Sequence, residues 1–224
     1  MSLEERARRE RLLEKAAATA AACRKCQIGF ERRHNVYGEG DPCARLMVIG
    51  EGPGETEDLL GRPFVGRAGE LLDKMLAAID LPREDIYICN TVKCRPTVLD
   101  GGKLRNRAPV PAEMANCRPY LDEQIEVIAP QVILALGAPA AKSFLGPQFS
   151  ITKSRGIWYE GPNSIPLIAT FHPAYILRQG GMAMTETKRQ VWSDLKQVRE
   201  KLEALRKPPA LPEQADLFES PPVI

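Results

Sequence analysis

The chain has 224 residues, of which 44% are hydrophobic, 27% charged and 6% aromatic. This composition is that of a globular protein, and the length suits one domain of ordinary size with a sizeable core. The net charge of +2 at pH 7 is nearly balanced, so any binding to nucleic acid must come from a local basic patch.

The N-terminus lacks the pattern of an export signal. It begins Met-Ser-Leu-Glu-Glu-Arg, without an apolar core, and no apolar run in the sequence is long enough to span a bilayer. We therefore expect a cytoplasmic protein that does not bind membranes. In that reducing compartment, the six cysteines are expected to be metal ligands or buried thiols before disulfides.

Helical and strand-like patterns alternate along the chain. A charged, alanine-rich stretch at 3–22 predicts a helix that packs on one side. Strand-like apolar runs follow at 46–49, 86–89, 132–136 and 167–170. Helical patterns lie between them at 68–79, 112–128 and 138–145. This alternation predicts a three-layer α/β/α sandwich with a central, mostly parallel four-stranded sheet.

Two segments depart from this alternation. Residues 95–111 are rich in Pro, Gly and Arg, which predicts a long ordered loop or a partly mobile insertion. Residues 207–224 contain five prolines and no periodic core pattern, so we expect a flexible tail after a single domain at 1–206.

A glycine-rich segment, GEGPGETEDLLGRPFVGRAG at 50–69, joins the first strand to the next helix. Glycine allows a ligand to approach the backbone closely, but phosphate-binding loops rarely carry so many acids. The acids are Glu51, Glu55, Glu57 and Asp58. They indicate a ligand that develops positive charge or a water that must be held, and a flat ligand could stack on the nearby Phe64.

Polar residues follow the other predicted strands. Asn90 and Lys93 follow the second strand, Gly137 the third and His172 the fourth. In open α/β sheets, ligands bind beyond the carboxyl ends of the strands, so we expect these residues to meet the glycine-rich segment there.

Four cysteines could close a metal site. Cys23 and Cys26 form a C-x-x-C pair, and Cys94 and Cys117 are single and distant. Four thiolates suit zinc or an iron–sulfur cluster, and basic neighbours would offset their negative charge. The spacing does not choose the metal; a redox pair or buried free thiols are the alternatives. Cys43 and Cys89 are expected to be unliganded.

Several separated motifs resemble the family 4 uracil-DNA glycosylases, the iron–sulfur branch of their superfamily. The resemblance runs from about residue 23 to 205. The motifs are CRKC at 23–26, GEGPGETED at 50–58, GRPFVGRAG at 61–69, NTVKCRP at 90–96, Cys117, SITKSRGIWYE at 150–160 and HPAYILR at 172–178. The resemblance implies a [4Fe–4S] cluster on Cys23, Cys26, Cys94 and Cys117. TVLDGGKL, between the last two, looks like an insertion.

The resemblance also implies cleavage of the bond between uracil and deoxyribose in single- or double-stranded DNA. A site for this reaction needs negative charge beneath the sugar, donors at uracil O2 and a stacking face for a flipped base. Phe64 is expected to stack on uracil, Asn90 to pair with O4 and N3–H, and His172 to donate to O2 as either imidazole or imidazolium. Glu51 is expected to hold the attacking water, with Glu57 and Asp58 as alternatives.

The remaining site residues are expected to form the pocket or to contact DNA. Gly50 and Gly52 are expected to line the uracil pocket. The expected DNA contacts are Pro53, Gly54, Thr91, Lys93, Arg155 and Arg178. Ile176 and Leu177 are equally compatible with an apolar wedge or with helix core.

The tail carries one further motif. Gln214, Leu217 and Phe218 resemble the short peptide with which bacterial repair proteins bind the sliding clamp.

Two other functions remain open. One is a non-catalytic iron–sulfur module that binds DNA lesions, and the other is a related glycosylase with broader base choice. A soluble α/β protein with structural zinc is the simplest alternative to all of these.

Overall fold

The structure, a computed structural model, describes residues 2–206. The predicted tail at 207–224 and its clamp-like residues Gln214, Leu217 and Phe218 lie outside the described residues. Within 2–206, no helix combines the length and apolar character that crossing a bilayer requires.

The predicted alternation of helices and strands is confirmed. The helices are α1 (Leu3–Ala22), α2 (Ile28–Glu31), α3 (Glu55–Leu60), α4 (Arg67–Ala77), α5 (Pro111–Ile128), α6 (Ala138–Leu145), α7 (Ile151–Ser154), α8 (Pro173–Arg178) and α9 (Gly181–Ala204). The strands are β1 (Glu39–Gly40), β2 (Leu46–Gly50), β3 (Tyr87–Asn90), β4 (Thr97–Asp100), β5 (Lys103–Asn106), β6 (Val132–Leu136), β7 (Trp158–Glu160) and β8 (Pro166–Thr170).

The main sheet of the described residues has the strand order β1-β3-β2-β6-β8-β7. Its four central strands run parallel, with Gly50 opposite Asn90 and Leu136 opposite Thr170 in the register. The two short edge strands, β1 and β7, pair antiparallel with their neighbours and were not predicted. The parallel register brings the carboxyl ends of the central strands to one edge of the sheet.

Side chains that alternate along β2 show why the fold has three layers. Leu46 and Val48 belong to a core cluster with residues of α4 and α9, whereas Met47 and Ile49 belong to a cluster with α1 and α5. Successive side chains of a strand point to opposite faces, so a strand that is apolar throughout must be covered on both sides.

Local signals explain where two of the covering helices begin. The Ser2 hydroxyl accepts a hydrogen bond from the Glu5 amide (3.2 Å) at the start of α1. At the start of α5, the Glu113 carboxylate accepts one from the Val110 amide (2.9 Å). These contacts satisfy amide groups that the first turn of a helix leaves without partners.

The insertion at 95–111 is more ordered than expected. It contains an antiparallel hairpin of β4 and β5, in which Leu99 pairs with Leu104. Gly101 and Gly102 form its turn with φ of 56° and 75°. Positive φ at both central residues is typical of the tight turns that join hairpin strands.

Candidate active site

A cavity of about 760 Å³ opens at the carboxyl ends of the central strands. Most of the predicted site residues lie in its wall. They are Glu51, Gly52, Pro53, Gly54, Phe64, Asn90, His172 and Arg178. This convergence follows from the parallel register, because residues that are distant in sequence each come directly after, or at the end of, a neighbouring strand.

Gly50 lies beneath this cavity at the end of β2. An ideal Cβ at residue 50 would stand 2.5 Å from Phe64 Cζ and would also collide with Asn90 Oδ1. Real Cβ atoms do not approach other atoms so closely. Only glycine therefore leaves room for the aromatic ring and the amide to meet at the floor of the cavity.

Two rings form a stacked pair in the wall. The Phe64 and His172 ring centroids are 5.5 Å apart, with 30° between the ring planes. Phe64 is largely buried and belongs to a core cluster, and its ring also reaches the cavity wall. Its φ of 51° is unusual for a bulky residue, which indicates that its surroundings fix the conformation.

Glu57 supplies part of that constraint. Its carboxylate accepts hydrogen bonds from the amides of Gly54 (3.1 Å), Val65 (3.0 Å) and Gly66 (2.8 Å). The side chain thus ties the start of α3 to the segment that carries Phe64. Although Glu57 reaches the cavity wall, its carboxylate oxygens are already engaged by the backbone.

Asp58, the other alternative to Glu51, points elsewhere. It is buried, and its carboxylate accepts a hydrogen bond from the Arg33 amide (3.0 Å). It does not line the cavity formed by the described residues. Of the three candidate acids, Glu51 is therefore the one that lies in the cavity without this kind of backbone engagement.

Burial gives Glu51 an unusual electrostatic environment. Burial raises the pKa of its carboxyl group above the ordinary value, and the nearby positive charge of Arg178 opposes the rise. A carboxylate with a raised pKa is a better proton acceptor than one exposed to water. The arrangement suits a base or a water-holding group.

Asn90 is almost fully buried, with 1% of its surface exposed, and yet Oδ1 has no hydrogen-bond partner among the described residues. An unpaired buried polar atom costs about 1–3 kcal/mol, so its retention needs an explanation. Its backbone carbonyl is held by Lys93 Nζ at 2.7 Å. A fixed amide with spare hydrogen-bonding capacity at a cavity is well suited to receive a ligand.

The hydrogen bonding of His172 defines its tautomer. Nδ1 accepts a hydrogen bond from the Ala174 amide (3.1 Å) at the start of α8, so Nδ1 carries no proton. Burial, together with the charge of Arg178, lowers the pKa of His172 to about 4. Near pH 7 the ring is therefore neutral, with its one N–H at Nε2.

Two expected DNA contacts are corrected by the structure. Lys93 has only 1% of its surface exposed, and its ammonium donates to the Asn90 carbonyl and to Gln124 Oε1 (2.5 Å). Arg155 forms a two-point ion pair with the buried Asp194, with hydrogen bonds of 2.8 and 2.5 Å. Both charges are neutralised or bonded inside the protein and are not presented to a ligand.

Thr91, which was expected to contact DNA, faces inward, as does Ile176, for which a wedge and helix core were equally compatible. Thr91 is buried, and its hydroxyl donates to the Glu51 carbonyl (2.5 Å). Ile176 belongs to the core, whereas its neighbour Leu177 is exposed. Arg178 is exposed at the cavity rim and retains a position that suits an anionic ligand.

The four predicted cysteine ligands lie in three separate segments. Cys23 directly follows α1, Cys94 follows β3 and Cys117 lies in α5. Among the described residues, no three Cys, His, Asp or Glu side chains converge closely enough to hold a metal ion. Burial, and to a smaller extent the neighbouring thiols of Cys94 and Cys26, raise the pKa of Cys117 to about 11, so these three cysteines lie near one another.

The surroundings of these thiols fit a thiolate-bound cluster. Arg32 Nη1 donates to Cys94 Sγ (2.9 Å), and the Lys93 amide donates to Cys117 Sγ (3.5 Å). Donors to sulfur stabilise thiolates and are typical of iron–sulfur sites. Cys89, by contrast, lies in β3 and is fully buried in the apolar cluster that includes residues of α1 and α5, as expected for an unliganded thiol.

The sequence interpretation missed one wall of the cavity. Residues 106–109, at the end of the hairpin and directly after it, line the cavity beside the glycine-rich segment, where Asn106 Nδ2 would lie 3.5 Å from a Cβ at Gly54. The signal was present, because Gly101-Gly102 between two runs of extended residues is a strong hairpin pattern.

The chain is similar to known proteins of one superfamily. The family model described as the uracil DNA glycosylase superfamily matches residues 37–196. A type-4 uracil-DNA glycosylase of Thermotoga maritima is 45% identical over 195 residues, covering 85% of this chain and 95% of the relative. A type-4 enzyme of Sulfurisphaera tokodaii is 40% identical over 84% of each chain. One from Archaeoglobus fulgidus is 39% identical over 80% of this chain and 87% of the relative.

Proposed function

The chain belongs to the uracil DNA glycosylase superfamily, among the type-4 enzymes, and on this premise we propose that it hydrolyses the bond between uracil and deoxyribose in DNA. The product would be an abasic site, and the reaction would be the first step of base excision repair. The observation that carries the proposal is the buried Asn90 amide, whose Oδ1 lacks a partner at a cavity that also holds Phe64, His172 and Glu51.

Asn90 is proposed to read the base. An amide has one donor group and one acceptor group, which together match O4 and N3–H of uracil. Cytosine presents the opposite pattern at these two positions. Lys93 holds the backbone carbonyl of Asn90, so the amide enters the cavity from a fixed position.

Phe64 is proposed to stack on the flipped uracil. A base must leave the duplex before its glycosidic bond becomes accessible, and an aromatic face offsets part of the lost stacking. Gly50 keeps the space beside the ring free, and Glu57 holds the segment that carries it. Gly52, Pro53 and Gly54 form the adjoining wall, where the chain backbone can approach the DNA strand.

His172 and Glu51 are proposed to act on the two charges that develop as the bond breaks. The neutral His172 ring offers its Nε2–H to uracil O2, which becomes negative as uracil leaves. Glu51 offers its carboxylate to the sugar, which becomes positive, and holds the water that attacks C1′. The water's proton passes to the Glu51 carboxylate, and the electron pair of the broken bond leaves with uracil.

The cysteines Cys23, Cys26, Cys94 and Cys117 are proposed to hold a [4Fe–4S] cluster. When bound, the cluster would supply iron–thiolate bonds that join the end of α1 to the segment after β3 and to α5. Cys94 lies four residues after Asn90, so this cross-link would also fix the segment that carries the uracil-reading amide. Iron and acid-labile sulfide assays on the purified protein test the cluster. Serine variants of the four proposed ligands are assayed in the same way, with Cys43→Ser as their control.

The proposed reaction is tested with an oligonucleotide that contains one uracil. Alkali converts an abasic site into a strand break, so incubation with the protein followed by alkali should cut the strand at the uracil. Matched strands with thymine, cytosine or hypoxanthine should remain intact. Binding without a break, from protein that contains its cluster, would instead identify a non-catalytic lesion-binding module, and cleavage at hypoxanthine would indicate broader base choice.

We also propose that Gln214, Leu217 and Phe218 bind the bacterial sliding clamp. The proposal rests on their order in the sequence, a glutamine followed by a leucine–phenylalanine pair. Co-purification of the full chain with the clamp, compared with a Leu217→Ala/Phe218→Ala variant, tests it. Equal retention of the two proteins would contradict it.

A further inference from the structure

The hairpin of β4 and β5 projects two leucines into solvent. Leu99 and Leu104 are 69% and 59% exposed, and they are direct cross-strand partners. Because partners in an antiparallel pair lie on the same face, the two side chains form one apolar surface. An exposed apolar pair at the end of a well-formed hairpin is typical of a binding element rather than of a simple connection.

The face that carries these leucines begins at the active-site cavity. Thr97 and Asn106, the partners at the base of the hairpin, share it with Leu99 and Leu104 because side chains alternate along a strand. Asn106 lines the cavity and accepts a hydrogen bond from Arg95 Nε (2.7 Å). Leu104 lies two residues of extended chain from Asn106, which places the leucine pair about 7 Å beyond the cavity rim.

The charge of the hairpin segment fits a polyanion. Residues 95–111 contain four basic side chains and one acidic side chain, and two of the basic ones, Arg95 and Arg107, pair with Glu55 (3.7 Å) and Glu113 (2.6 Å) outside the segment. Arg105 pairs with Asp100 at 2.7 Å on the face opposite the leucines. An apolar pair that is continuous with a base-binding cavity, on a hairpin whose Lys103 forms no ion pair with the described residues, matches a DNA duplex better than an apolar protein surface.

We propose that Leu99 and Leu104 insert into the base stack of a duplex beside the flipped uracil, and that the hairpin is a second DNA-binding element. This inference rests on the proposed glycosylase function. Unstacking a base step costs a few kcal/mol. Apolar side chains that enter the step stabilise the unstacked duplex and offset part of this cost. A single strand contains no opposing stack to fill, so the leucines contribute to excision from duplex DNA and not from single strands.

The test uses a Leu99→Ala/Leu104→Ala variant of the full chain with its cluster. Excision of uracil is measured on a duplex and on the same strand alone, and affinity for a duplex with an abasic-site analogue is measured by fluorescence anisotropy. Val98→Ala is the matched control, since Val98 is 48% exposed but lies on the opposite face. Thermal melting confirms that all three proteins are folded.

We expect the double variant to lose about tenfold or more in kcat/KM and in affinity on the duplex, in line with the loss of a stabilised unstacked step. Activity on the single strand and the behaviour of Val98→Ala should match the wild type. Equal losses on both substrates, or wild-type behaviour on the duplex, would overturn the inference. Affinity is measured independently of cleavage. A wild type that binds the duplex without cleaving it would contradict the proposed reaction, but the affinities of the wild type and the double variant would still test the role of the hairpin.

Discussion

The backbone of Gly50 lies directly against the ring of Phe64, so that a Cβ at residue 50 would stand 2.5 Å from Phe64 Cζ. Gly50→Ala must therefore displace the ring or the neighbouring Asn90 amide. We expect kcat/KM to fall about 100-fold, because a displacement of about 1 Å at a reacting centre can have this effect.

Gly180→Ala is the control for this change. Gly180 has a negative φ of −131°, and a Cβ there would meet nothing within 4 Å. Its activity and melting temperature should stay close to those of the wild type. A Gly50→Ala protein that folds and cleaves at the wild-type rate would show that the close packing of the cavity floor is unimportant.

Glu51→Gln should lower kcat while KM changes little. The amide keeps the shape of the side chain but removes its charge and its capacity to accept a proton, an effect of about 10²–10⁴-fold in general acid–base catalysis. Asp58→Asn is the matched control, because Asp58 bonds to the Arg33 amide and lies outside the cavity. Steady-state kinetics on both variants decide between the two acids. A fall in kcat in Asp58→Asn but not in Glu51→Gln would assign the water-holding role to Asp58.

His172 should titrate far below the usual range. Burial lowers its pKa from 6.5 to about 4 in the folded protein, so between these values the unfolded chain binds a proton that the folded chain does not. The stabilisation that depends on neutral His172 is therefore complete above pH 6.5 and is lost as pH falls toward 4. NMR titration of the ring should give a midpoint near 4, and urea unfolding of His172→Gln should show a weaker pH dependence over this window. A midpoint near 6.5 would contradict the lowered pKa of the buried ring.

Arg178 and Arg155 should differ in their effect on DNA binding. Arg178→Ala removes an exposed charge at the cavity rim and should reduce the slope of log affinity against log salt by about 1. Arg155→Ala should leave that slope unchanged but should cost about 3–5 kcal/mol of unfolding free energy, since it leaves the buried Asp194 without its partner. Salt titrations of binding and urea unfolding measure the two effects, and a reversed pattern would restore Arg155 as the DNA contact.

The sheet could be predicted because its strands are short apolar runs buried on both faces. The edge strands β1 and β7 could not, since they are only two and three residues long, too short to show a strand pattern. The hairpin was predictable from Gly101-Gly102 but was interpreted as a loop because the segment is rich in Pro and Gly. Helix α9 was missed because its apolar residues are diluted among charged ones.

The site was predictable where a residue sits at a strand end, as for Glu51, Asn90 and His172. The directions of charged side chains were not, because they depend on partners that are distant in sequence. Lys93 turns inward to Gln124, and Arg155 turns inward to Asp194. A sequence shows that a basic residue is present, but it does not show whether a buried acceptor lies within reach of its side chain.

The most direct test of the account is the rate of uracil release from DNA by the wild type and by Asn90→Ala, each with its cluster assayed. The wild type should leave an alkali-sensitive site at uracil, and Asn90→Ala should lose most of this activity while its melting temperature and iron content stay near those of the wild type. Wild-type rates in Asn90→Ala would contradict the assignment of Asn90 as the reader of uracil, and no release by the wild type would contradict the glycosylase function itself.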